Sequence, residues 1–300
     1  MTAPVEVVPP TARPKSYARG ARMHAKAHLV TELRAAAGSV ARTAVATLHS
    51  EAPLVLRMAR AKEPEPWVRG VQDVARVALM AGAAGPVGGD ELSLTVEVGP
   101  GSSLVLSEIS PTLLLPGPHG EQSRTTVRIR VGAGGTLIWV PEPMVAADGC
   151  DHVHVVAVQL GQGATFLMRE ELLLGRHGES GGRVTQRVSI HLQGVPLYRQ
   201  DLRVGYPEAR TPPVLGTHRA IGSTLIVDPA WAESPPRAHR LDGEAGVLPL
   251  AGPAALITAL ADDNLQLRDH LTAGLSALGD PWEPQRTTTM PSPSKGRHLS

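Results

Sequence analysis

The clearest patterning in the chain is alternation. Between residues 24 and 33, Ala25, Ala27, Leu29, Thr31 and Leu33 fall on one side and His24, Lys26, His28 and Glu32 on the other. Period two predicts a half-buried strand. Residues 40–48 and 54–58, rich in β-branched and aliphatic side chains, predict two more, with a turn at Gly38 before them. Further on, VEVGPGSSLVL from Val96, IRVGAGGTLIW from Ile129 and VQLGQGATFLM from Val158 align as strand, G-x-G, strand. A dinucleotide fingerprint would need a helix after the glycines and a third glycine within it. Here β-formers follow, so each G-x-G is expected to be a hairpin turn using glycine's tolerance of positive φ. Strands are also expected over 183–192 and 197–204, then a loop marked by Pro207, Pro212 and Pro213.

Hairpins of this kind cannot bury an apolar face singly, so the fold expected is all-β dominated: stacked hairpins in a helicoidal or sandwich-like architecture. A helical period arrives only late, through Leu256, Leu260, Leu267, Leu271, Leu275 and Leu278, with Gly279 as its stop. It predicts an amphipathic helix about 35 Å long. Asp262, Asp263, Arg268, Asp269 and His270 form its polar face, and its leucines either pack on the chain's own sheet or dock a partner. The expected organisation is a disordered tail over 1–20, a β-rich domain over 21–252, a helical segment over 253–279 and a second disordered tail over 280–300.

Composition narrows the function. Among 300 residues, 42% are hydrophobic, enough for a substantial core, while 29 Lys and Arg against 28 Asp and Glu leave a net charge of +1. No general field exists to hold nucleic acid or an anionic membrane, and with 3% aromatic residues there are few platforms for stacking bases. The single cysteine, Cys150, excludes an internal disulfide, and the proline-rich start lacks the basic and apolar regions of a signal peptide. The apolar stretch over 71–87 is interrupted by Asp73, Arg76, Gly82, Gly85 and Pro86, so no membrane span is expected. A cytoplasmic location follows.

The motifs of nucleophilic hydrolases, zinc metalloproteases, P-loop NTPases and structural zinc sites are missing, which points away from an enzyme. Two clusters carry candidate chemistry. Cys150, His152 and His154 are spaced by two and share one strand face, which could bind a borderline metal as in a cupin-like enzyme, or could simply face water while Val153 and Val155 face the core. Glu170 and Glu171 precede Leu172–Leu174 and mark either the solvated end of a strand or the lining of a polar passage.

Several ordered pieces resemble the urease accessory protein D family (UreD, also UreH) over about residues 21–228. They are Pro53-Leu54 with Arg57; Gly85-Pro86-Val87-Gly88-Gly89-Asp90 followed by Leu92 and Leu94; Trp139-Val140-Pro141-Glu142; Gly175-Arg176-His177-Gly178-Glu179; and Leu197-Tyr198-Arg199 with Leu202. The chain departs from the family where Leu106-Ser107-Glu108-Ile109-Ser110 replaces a Thr-Thr pair and a basic residue, and where Val145-Ala146-Ala147 replaces an aromatic. The resemblance implies a helicoidal β fold and a non-enzymatic metallochaperone scaffold for nickel insertion, joining the urease apoprotein to the F-type accessory protein and the G-type GTPase. It also implies no tightly bound cofactor, with nickel in transit through an internal polar passage. Glu142, Asp148, Glu170, Glu171 and Glu179 are the candidates for its walls.

Overall fold

The structure is a computed structural model that describes residues 22–35, 40–61, 66–68, 73–206, 214–241 and 244–282. The expected turn at Gly38, the proline loop and the first tail lie outside these residues. The first strands are β1 (His24–Arg34), β2 (Arg42–Ser50), β3 (Leu54–Met58) and β4 (Ala75–Ala81). The middle of the chain supplies β5 (Glu91–Val98), β6 (Ser103–Glu108), β7 (Thr112–Leu114), β8 (Ser123–Val131), β9 (Thr136–Val140), β10 (Met144–Ala146), β11 (Asp151–Leu160), β12 (Thr165–Leu174), β13 (Arg183–Leu192) and β14 (Val195–Val204). β15 (Ala220–Val227), β16 (His239–Arg240), β17 (Ala245–Pro249), β18 (Ala254–Ala261) and one helix, α1 (Asn264–Leu278), complete the order.

Two sheets face each other. One runs β14-β13-β11-β8-β5-β1-β2 and the other β16-β17-β18-β15-β12-β9-β6-β4-β3. Through the middle the chain alternates between them, so β5, β8, β11 and β13 stack in parallel in the first sheet, as β4, β6, β9 and β12 do in the second. This is a solenoid-like coil, as the pattern predicted, but its unit differs from the expected one. The strands flanking each G-x-G do not pair with each other; they belong to opposite sheets, so the glycines shape arcs rather than hairpins.

The two glycines of each arc have separate duties. The second takes positive φ, +68° at Gly101, +62° at Gly134 and +66° at Gly163, and turns the chain. The first permits stacking: a Cβ on Gly132 or Gly161 would lie 2.7 Å from the backbone nitrogen of Pro100 or Ala133 in the arc below. Backbone bonds join successive coils, Gly132 N–H to the Val98 carbonyl at 2.7 Å and Gly161 N–H to the Val131 carbonyl at 2.8 Å.

Alternating inward residues of the two sheets form the main core, including Leu94, Val96, Leu104, Ile129, Val158 and Phe166. A second core covers the outer face of the second sheet, where Leu267, Leu271 and Leu275 of α1 meet Ile138, Leu167, Ile226 and Ile257. That sheet is therefore buried on both faces, which explains a misreading. Leu256 and Leu260 belong to β18, not to the helix. With both faces buried, β18 is apolar throughout and carries no period by which to separate it from a helix. The helix begins after Asp263, whose side chain accepts the Gln266 N–H at 2.9 Å, and is about 22 Å long rather than about 35 Å. Gly279 ends it. The tail expected from 280 is fixed at its start: Trp282 is fully buried, and its Nε1–H donates to Asp228 Oδ2 at 2.9 Å. Leucines of α1 thus pack on the protein's own sheet. No helix among the described residues is long and apolar enough to cross a membrane.

Candidate functional site

The apolar interior fails at one end of the coil. Along β11 the inward positions are His152, His154, Val156, Val158 and Leu160, all buried; along β12 they are Phe166, Met168, Glu170, Leu172 and Leu174. Facing strands thus place two imidazoles and a carboxyl between the sheets. His152 is 0% exposed, His154 8%, Glu170 7% and Glu171 3%. Alternation had correctly put His152 and His154 on one face, but that face is the inner one, and the reading that it meets water is corrected. Glu170 and Glu171 sit within β12 rather than at a solvated end.

A cavity of about 100 Å³ opens here, with Glu108, Glu142, Glu170, Glu171, His152 and His154 in its wall among mainly apolar residues that include Trp139 and several leucines. Its polar atoms are unusually poorly matched. His152 Nε2, His154 Nδ1, Glu170 Oε1 and Trp139 Nε1 are buried without a hydrogen-bond partner in the protein. Unpaired buried groups are costly and uncommon in native interiors, so their concentration in one cavity marks a place that receives something polar. A smaller cavity of about 20 Å³, bordered by Gln186, Gln200 and Thr258, also has Glu170 in its wall. Glu170 therefore borders both spaces.

Burial sets the protonation states. It pushes Glu108 up to about 8, an effect that Glu142's charge reinforces and the Glu142 N–H opposes. Burial likewise raises Glu170 to about 7, against a bond from Gln186, and lowers His152 to about 3 and His154 to about 4. The 3.9 Å approach of His154 Nε2 to Glu170 Oε1 is consequently a contact of a neutral imidazole with a carboxyl whose charge burial disfavours, rather than an ion pair. His152 is anchored at one ring nitrogen. Its Nδ1 lies 2.8 Å from Ser123 Oγ, which is also 3.4 Å from the Asp151 carbonyl, so that nitrogen is held by the protein while Nε2 is left without a protein partner.

The charged members are held differently. Successive residues of a strand point to opposite faces, so while Glu170 looks between the sheets, Glu171 turns toward α1. There Arg268 Nε donates to Glu171 Oε2 at 2.9 Å and Arg268 Nη2 to Glu142 Oε2 at 2.5 Å, with Arg169 Nε 3.0 Å from Glu171 Oε1. Arg268 had been placed on the helix's solvated face; it reaches inward instead.

Asp148 and Glu179 do not join this group. Glu179 accepts from the backbone N–H groups of Arg176 and Asp148 and from the Arg176 guanidinium, whose bonds hold its carboxyl down to about 2, and Asp148 accepts from Ser180. Arg219 secures the same loop through the carbonyls of Leu174, Arg176 and Glu179. The Gly175–Glu179 motif is thus a loop staple. Asp90 has a comparable part, accepting from Met23 N–H and Val87 N–H. Cys150 lies outside the cavity too, buried in a third core with Leu114, Ala146 and Val184, and burial pushes its thiol up to about 11. Cys150, His152 and His154 therefore do not converge, and among the described residues no three His, Cys, Asp or Glu side chains are grouped to hold a metal ion. Glu108 was visible in the sequence only as a departure from a family pattern, with nothing to bring it near Glu142.

The comparisons agree with the family that the motifs resemble. A family model described as UreD urease accessory protein matches residues 23–293. A Urease accessory protein UreD of Frankia alni is 39% identical over 297 residues, spanning 90% of this chain and 96% of the relative. Proteins of the same name from Streptomyces avermitilis and Streptomyces coelicolor are 39% and 38% identical, each over 79% of this chain and more than nine-tenths of their own length.

Proposed function

Because this chain belongs to the UreD family of urease accessory proteins, we propose that it acts in urease maturation as a non-catalytic scaffold through which nickel passes as cargo. Its partners on this reading are the urease apoprotein, the F-type accessory protein and the G-type GTPase, all in the cytoplasm. The observation that carries the reading is the interior cavity lined by His152, His154 and Glu170, where His152 Nε2, His154 Nδ1 and Glu170 Oε1 have no hydrogen-bond partner in the protein.

Oxygen and imidazole donors suit a borderline divalent ion, and His152 Nε2 has no protein partner to give up. A transit wall must also release its cargo. The loose spacing of these groups favours brief contacts with one or two donors at a time over a closed coordination shell, so nickel is held weakly. Glu170, which borders both cavities, is the narrow point of such a route. Its protonation near neutral pH lowers the charge it presents, and an arriving cation displaces the proton.

The test is urease activation in cells expressing the full urease cluster with Glu170→Gln or His152→Phe in this protein. Glutamine is chosen because a lysine at a buried position would threaten the fold. Nickel per urease active site should fall by about tenfold, the usual scale for losing one donor, while pull-down of urease and the accessory proteins is unchanged. Normal nickel loading with both variants present would rule out this cavity as the route.

A further inference from the structure

The geometry points to Arg268 as a latch: a cation tethered to α1 that holds the cavity carboxylates Glu142 and Glu171 until a divalent cation competes for them, so that cation entry and the seating of α1 oppose each other. This rests on the cavity being a cation path and adds to it a moving part.

The two acids come from different elements, Glu142 just after β9 and Glu171 within β12, and both residues border the cavity, Glu171 from the strand face opposite to that of Glu170. The guanidinium that binds them belongs to α1 and approaches from the outer face of the second sheet, with bonds of 2.5 Å to Glu142 and 2.9 Å and 3.3 Å to Glu171. One side chain thus joins three elements. Its reach is fixed by the helix seat. Leu267, beside it, is fully buried, and Gly222 of β15 lets the helix close in, since a Cβ there would come within 3.1 Å of Leu267 and 3.2 Å of Leu271. Elsewhere in the wall His152 Nε2, Glu170 Oε1 and Trp139 Nε1 have no protein partner, whereas Glu142 and Glu171 are held by the Arg268 guanidinium.

A guanidinium bound to two carboxylates is the same electrostatic solution that a metal ion would supply, with one positive charge in place of two. A divalent cation entering beside Glu142 and Glu171 repels Arg268 and takes over its oxygens. Loss of those bonds removes a polar tether of α1 while the leucine seat remains, which loosens the helix locally without unfolding the protein. Linkage makes the effect reciprocal: whatever loosens α1 raises affinity for the cation.

The experiment uses the purified full-length chain and nickel(II) sulfate, with binding measured by calorimetry. Arg268→Gln should bind nickel about tenfold more tightly than the native chain, Arg268→Lys should fall between, and adding Glu142→Gln to Arg268→Gln should abolish the gain. In the native chain, nickel at millimolar concentration should speed hydrogen exchange of amides in 264–278, and magnesium should do so less. This second measurement needs no variant. Equal nickel affinity for Arg268→Gln and native protein, or helix exchange indifferent to nickel, overturns the latch. The cavity as a route is judged separately by nickel loading in Glu170→Gln. If that variant blocks loading while Arg268→Gln changes nothing, the route stands and the latch falls.

Discussion

The same two strands, β11 and β12, enclose interiors of opposite character. Near the G-x-G arcs they face each other through Val156, Val158, Leu160, Phe166 and Met168, and near the other end through His152, His154 and Glu170. Along β11 the parallel ladder runs unbroken from His152 to Leu160, whereas β12 pairs with β9 only as far as Met168 and with β10 only from Leu172, so Glu170 falls where that side of the ladder is open. The β11 backbone does not require the polar end. Leu or Val at 152 and 154 would fit the same ladder, so the buried His residues reflect a demand other than strand pairing.

Stability and function should accordingly separate between the halves. Phe166→Ala in the dry half is expected to cost about 3–5 kcal/mol, read by chemical denaturation, because it deletes a fully buried ring. Glu170→Gln should instead change stability by less than about 1 kcal/mol, since it removes an acid whose charge burial already suppresses. Equal losses from the two substitutions would erase the distinction.

A smaller effect concerns pH. Glu108 and Glu170 have folded values of about 8 and about 7 against 4.5 in the unfolded chain, so the stability tied to their protons is lost as pH rises through the folded values. His152 and His154 have folded values of about 3 and about 4 against 6.5, so their contribution is present above 6.5 and lost as pH falls. Between 4.5 and 6.5 the two trends oppose each other, which predicts a plateau with losses on either side. Thermal melts should show the alkaline loss disappear in the Glu108→Gln, Glu170→Gln double variant while the acid loss persists. The smallest change is expected outside the cavity. Glu179→Gln should loosen the 175–179 loop in hydrogen exchange and leave nickel loading of urease at its native level.

The contrast between the halves also explains what could be read from the sequence. Alternation identified β1, β13 and β14, because a strand with one face toward solvent shows a period of two. β18 showed none, being covered on both faces. The G-x-G repeats revealed a stacked coil but not that each joins two sheets, since a turn's residues do not say whether its arms pair. At the site, alternation grouped His152 with His154 but gave no sign of which face lay inside. Only Thr165–Leu174 stacking beside Asp151–Leu160 across the two sheets brings Glu170 against them. Glu108, Glu142 and Arg268 meet through folding alone, from segments far apart in the chain. Asp148 and Glu179 lie apart from the cavity and bond within their own loops, a placement the sequence does not reveal because a short loop of acids and glycines looks the same whether it staples itself or faces an ion.

Burial of the second sheet beneath α1 and Trp282 bears on how the protein is made. The ribosome delivers the two facing sheets first, and β12, β15 and β18 leave it with Leu167, Ile226 and Ile257 still uncovered. Their cover is among the last of the described segments to be synthesised. A nascent chain thus carries a bare apolar face until translation nears its end, and a chain cut short before Asn264 carries it permanently, inviting self-association. Expression yield should therefore depend on intact synthesis of the C-terminal segment more than on any single position in the coil.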